Sequence, residues 1–87
     1  MLNEKPDMEF SDLTGRATQN GVTVTVNVYR HAGTQGPWTL EVIDQNGWST
    51  IWRDTFSSDE DALDAFTDAV EEGGGMRAFL EPPPTLH

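Results

Sequence analysis

Residues 22–30 read VTVTVNVYR, with a valine at every even position from Val22 to Val28. That alternation has the period of a β-strand: Val22, Val24, Val26 and Val28 fall on one face, and Thr23, Thr25, Asn27 and Tyr29 on the other. A strand with one apolar and one polar face belongs in an antiparallel sheet that is covered on one side and open on the other. The remaining chain must therefore supply sheet neighbours and a layer to cover the valines.

Residues 31–37 contain Gly33, Gly36 and Pro37 and read as a loop. Residues 38–44 and 48–56 then read as two further strands around the turn Asp44-Gln45-Asn46-Gly47-Trp48. A two-residue Asn46-Gly47 loop would put Leu40 and Val42 opposite in face to Trp48 and Trp52. A three-residue loop, with Gly47 in the left-handed position of a bulge, pairs Asp44 with Trp48. Trp38, Leu40, Val42, Trp48, Trp52 and Phe56 then share one face, so this register is preferred; a one-residue slip would scatter the aromatic set between core and solvent. It also makes Glu41 and Arg53 diagonal neighbours on the outer face, within reach of a weak ion pair.

Ser57 and Ser58 followed by Asp59, Glu60 and Asp61 form a helix start, a serine cap with carboxylates in the first turn. Ala62, Leu63, Phe66, Ala69 and Val70 recur at helical spacing and define a buried stripe. Gly73, Gly74 and Gly75 stop the helix, and residues 76–80 are the candidate for a fourth short strand. The expectation is an α+β two-layer sandwich in which three strands, or four with residues 76–80, are covered on one face by a single C-terminal helix. Residues 1–20 show no sustained period and read as a flexible N-terminal arm that docks locally through Phe10 and Leu13. Residues 21–80 read as the single domain, and residues 81–87, with Pro82, Pro83 and Pro84, as a disordered proline-rich tail.

A chain of 87 residues leaves room for one core, here enriched by three Trp, four Phe and one Tyr. Without cysteine there is no disulfide framework or thiolate chemistry. The first ten residues, MLNEKPDMEF, lack the basic and apolar regions of a secretory signal, and no apolar run is long enough to span a bilayer. A cytoplasmic protein is the expectation. Fifteen acidic residues against five basic ones give a formal charge of −10, which repels nucleic acid and anionic lipid, because both recruit Lys and Arg to phosphate.

Nothing in the pattern points to catalysis, a cofactor or a metal. His31 and His87 are isolated and lack the spacing of a metal pair. Asp59, Asp61 and Asp64 resemble a calcium loop only superficially, since Asp64 and Val70 stand where its glycine and its twelfth-position glutamate are required. The three glycines follow a helix and precede no Lys-Ser or Lys-Thr, so they do not form a phosphate loop, and no G-x-S-x-G elbow is present.

Residues 54–72 carry eight acids and no base. On a helix, Glu60, Asp64, Asp68 and Glu71 or Glu72 line one side beside the apolar stripe. Such like-charge pairs cost about 0.2–0.5 kcal/mol each, and Glu71 and Glu72 also sit at the unfavourable end of the dipole. A helix selected for stability alone would alternate Glu with Lys. These five acids, together with Tyr29, Glu41 and Arg53 on the open sheet face, are the candidate partner-binding residues. The expected partner is a protein with a basic surface, engaged by a monomer or a weak homodimer. The alternative is a nucleic-acid mimic that inhibits a DNA- or RNA-binding protein, as in phage or mobile-element anti-defence.

Residues 38–80, WTLEVIDQNGWSTIWRDTFSSDEDALDAFTDAVEEGGGMRAFL, resemble a type of short uncharacterised bacterial protein in which a W-x-L-E-V-x-D hairpin precedes an acidic helix. The resemblance implies the hairpin-then-helix order and carries no activity.

Overall fold

The valine strand is the spine of an antiparallel sheet. The computed structural model describes residues 7–80. In chain order these form β1 (Met8–Phe10), β2 (Gly15–Gln19), β3 (Val22–His31), β4 (Thr39–Ile43), β5 (Ser49–Ile51), α1 (Asp59–Glu72) and α2 (Met76–Leu80). The chain is α+β: β1 and β2 both pair with one edge of β3, and β4 and β5 follow on the other side. Val22, Val24, Val26 and Val28 are buried together with Leu40 and Val42, and α1 covers them with Ala62, Phe66 and Val70.

The reading of residues 1–20 as a flexible arm is corrected over its described part. Asn20 (φ 53°) and Gly21 (φ 80°) make a two-residue hairpin turn that pairs Gln19 with Val22. β1 and β2 therefore lie end to end along β3, interrupted by residues 11–14. There the Thr14 hydroxyl stands in for a backbone acceptor, accepting from the Val28 N–H at 3.0 Å, and it also donates at 3.2 Å to the Val28 carbonyl, which accepts from the Ser11 N–H as well. Phe10 does dock locally, with its ring 5.6 Å from that of Tyr29. Residues 1–6, and the proline-rich residues 81–87 read as a tail, lie outside the described residues.

Ser11 is the buried polar residue of this edge. Its hydroxyl donates to Asp59 Oδ2 at 2.7 Å and accepts from the Leu13 N–H at 2.9 Å, so it ties the edge strand to the first turn of α1. Ser11→Ala orphans both partners and should cost about 1–3 kcal/mol. Chemical denaturation checks this; a midpoint equal to the parent's would show that the tie contributes nothing.

The hairpin register is the expected one. Asp44 and Trp48 pair across a three-residue loop, Gly47 takes φ 86°, and its N–H donates to the Asp44 carbonyl. Beyond the turn the returning strand is shorter than the expected 48–56. β5 ends at Ile51, Trp52 still donates to the Leu40 carbonyl, and pairing resumes only at Phe56, opposite Trp38. Residues 53–55 thus face the single residue Thr39, which forces a bulge.

α1 starts as expected, with the Ser58 hydroxyl accepting from the Asp61 N–H at 3.0 Å. Residues 76–80 are a helix and not a fourth strand. Met, Arg, Ala and Leu favour helix intrinsically, and Gln19 Oε1 accepts the Met76 N–H at 2.7 Å at its start. Phe79 then stacks on Trp52, with centroids 6.1 Å apart, and meets Phe66 edge-on at 6.2 Å. The turn into α2 needs glycine: Gly75 has φ 114°, and an added Cβ would lie 3.1 Å from Gln19 Oε1. Gly75→Ala should destabilise by about 1–3 kcal/mol, read as a lower melting temperature; an unchanged one would show that the turn relaxes without strain.

Candidate functional site

The two sets of candidate residues lie on opposite faces of the molecule. α1 presses Ala62, Phe66 and Val70 onto the sheet, while Glu60, Asp64, Asp68, Glu71 and Glu72 point away from that contact. At about 100° per residue, Glu60, Asp64, Asp68 and Glu71 occupy the side turned away from Phe66, rather than one flanking the apolar stripe. Among the described residues the one ion pair is Arg30 with Glu9, at 3.1 Å, so no base answers the row on α1. Asp59 and Asp61 are engaged by the Ser11 and Ser57 hydroxyls.

On the open face Tyr29 and Glu41 come from adjacent strands, flanked by Phe10 and Ile51. Glu41 accepts hydrogen bonds from the Ser49 hydroxyl and the Asn27 amide. Burial, and secondarily the negative charge of Glu41, push the Tyr29 hydroxyl above the usual tyrosine value of 10.0. Tyr29 is the sole tyrosine, so ultraviolet titration should show one phenol ionising above that value. Because the folded value is the raised one, the associated stability is present below the unfolded value and is lost as pH rises through the folded one. Phe10→Ala uncovers the ring and should lower the midpoint; an unmoved midpoint would show that Phe10 does not shield it.

The structure does not bear out the expected pairing of Arg53 with Glu41. The bulge carries Arg53 out of β5, and no Glu41–Arg53 ion pair forms among the described residues. Spacing alone could not show this, because the bulge depends on where pairing resumes at Phe56.

Trp48, expected in the core unless the helix leaves it uncovered, is one of the aromatics left uncovered. Trp48 does share the helix-side face with Leu40 and Val42, but β5 extends beyond the cover of α1, and the indole is 74% exposed. It borders a cleft of about 550 Å³ whose walls include Asp44, Asn46, Thr50, Phe79 and Leu80. The signal available was its position directly after the turn, at the extreme end of the hairpin.

Among the described residues no helix is long and apolar enough to cross a membrane, and no group of three or more His, Cys, Asp or Glu could hold a metal ion. No family model, curated protein or solved structure matches the chain.

Proposed function

We propose that the protein is a non-enzymatic acidic binding module, cytoplasmic in setting, whose outward α1 face docks a protein with a basic surface. The observation that carries this reading is the outward row Glu60, Asp64, Asp68 and Glu71, which no base of the described residues neutralises. Self-repulsion along the row weakens the helix, and a cationic partner relieves it. The open sheet face supports docking less well, because Glu41 is already engaged by Ser49 and Asn27 and forms no ion pair with Arg53 among the described residues.

Row length favours protein docking over nucleic-acid mimicry. Glu60 to Glu71 spans about 16 Å of helix axis. A row that short suits a few Lys or Arg side chains better than a protein built to follow a phosphate backbone.

The test is equilibrium binding of a basic partner, recovered on the immobilised protein, as ionic strength is raised. Affinity should fall steadily with salt, since exposed charges more than about 8–10 Å apart are screened at physiological ionic strength. Salt-independent binding would overturn the reading.

A further inference from the structure

The molecule already contains one arginine seated on a tryptophan. The Arg30 guanidinium lies 4.2 Å from the centre of the Trp38 ring and is paired with the Glu9 carboxylate. An aromatic face offers negative potential to a cation, and a nearby carboxylate completes its neutralisation.

Trp48 and Asp44 place the same two groups together without a cation from the described residues. Both line the cleft at the end of the sheet. The hairpin turn fixes the Asp44 carboxylate and the backbone that carries the indole: Asp44 Oδ1 accepts from the Asn46 and Trp48 N–H groups at 2.9 Å, and the Asp44 N–H donates to the Trp48 carbonyl at 2.9 Å. The hydrogen bonds to this carboxylate from the described residues all fall on Oδ1. Trp48 joins no ring pair of the described residues, whereas Phe79, which also lines the cleft, is committed to Trp52 and Phe66. Arg77, on the same helix as Phe79, does not line the cleft.

We propose that this cleft receives an arginine side chain of a basic partner, its guanidinium lying on the Trp48 indole and its charge facing Asp44. The chain's charge of −10 draws such a partner in, and the apolar wall of Phe79 and Leu80 accommodates the arginine stem. Arginine suits the site better than lysine, because a planar guanidinium stacks on an indole and is more weakly hydrated than an ammonium. The inference rests on the reading of a basic protein partner and adds a second, specific contact to it.

The experiment is calorimetric titration with a short capped peptide carrying three arginines separated by Gly-Ser, beside the same peptide with citrulline at each arginine. Four folded proteins are compared: the parent, Trp48→Ala, Asp44→Asn and the α1 charge reversal Asp64→Lys/Asp68→Lys/Glu71→Lys. Trp48 is exposed, so its truncation leaves the core intact, and Asp44→Asn removes the charge while keeping an Oδ1 acceptor to hold the turn. The parent should bind the arginine peptide and not the citrulline one, and Trp48→Ala should weaken binding by about tenfold or more, the scale of a desolvated cation–π contact. Asp44→Asn should weaken it less. Loss in Trp48→Ala with retention in the α1 variant supports the cleft as a contact separate from the α1 face. Loss in the α1 variant alone overturns the cleft and leaves the α1 reading standing. Equal binding of the citrulline peptide, or no measurable binding of the arginine peptide to the parent, also overturns the cleft.

Discussion

Phe66→Ala should bring the domain close to unfolding. Phe66 is 6% exposed at the middle of the α1 stripe, and truncating a buried phenylalanine costs about 3–5 kcal/mol. A domain of this size holds about 4–13 kcal/mol in total, so the loss is a large share of its stability. The damage should spread, because Phe66 is the edge partner of Phe79, and Phe79 in turn stacks on Trp52. Emptying the space beside Phe79 loosens α2 and with it one wall of the Trp48 cleft. Phe66→Leu, which leaves a smaller void, should cost less. Urea denaturation of the three proteins measures the series, and a Phe66→Ala melting temperature within a few degrees of the parent would show that α1 does not rest on the sheet through this ring.

The charge reversal Asp64→Lys/Asp68→Lys/Glu71→Lys should cut affinity for the basic partner by at least about tenfold and make the salt dependence shallower. All three positions are turned away from Phe66, so the core should be untouched. Stability should rise slightly: Glu60 would face a lysine four residues on, in place of an i,i+4 repulsion of about 0.2–0.5 kcal/mol. Glu71→Lys would also put a base in the last turn, where α1 now has none. A folded variant that binds the partner as tightly as the parent would remove α1 from the interface and leave the open face around Tyr29 and Glu41.

The interior of the sheet was legible because burial on one side writes a strict alternation into β3 and β4. The turn at Gly47 was legible because a wrong register would have stranded the aromatics. The first edge strand was not, although Asn20-Gly21 is as strong a hairpin signal as Asn46-Gly47. β1 and β2 contribute only Ala17 to the core margin, and residues 11–14 break whatever alternation remains. α2 is five residues long, too short to show a helical period, and its course depends on Gln19, 57 residues away in sequence. The acidic row could be read from spacing alone, since helix geometry fixes which side chains share a side. Arg53 and Trp48 could not be placed in this way: one depends on a bulge opposite Thr39, the other on how far α1 reaches over β5.

From β2 to β5 each strand pairs with the next along the chain, so this part of the sheet is a meander whose turns close over short distances. The polar ties between layers are the long-range ones, Ser11 to Asp59 across 48 residues and Gln19 to Met76 across 57. Loop-closure entropy therefore favours a folding nucleus in the β2–β3–β4 hairpins, with the helices docking late on the descending side of the barrier. Substitutions at Gly21 or Gly47 should slow folding, while Ser11→Ala and Gln19→Ala should leave the folding rate nearly unchanged and speed unfolding. Side chains that fasten the helical layer, Ser11 and Gln19 among them, thus govern how long the native state persists, and the glycine turns govern how fast it is reached.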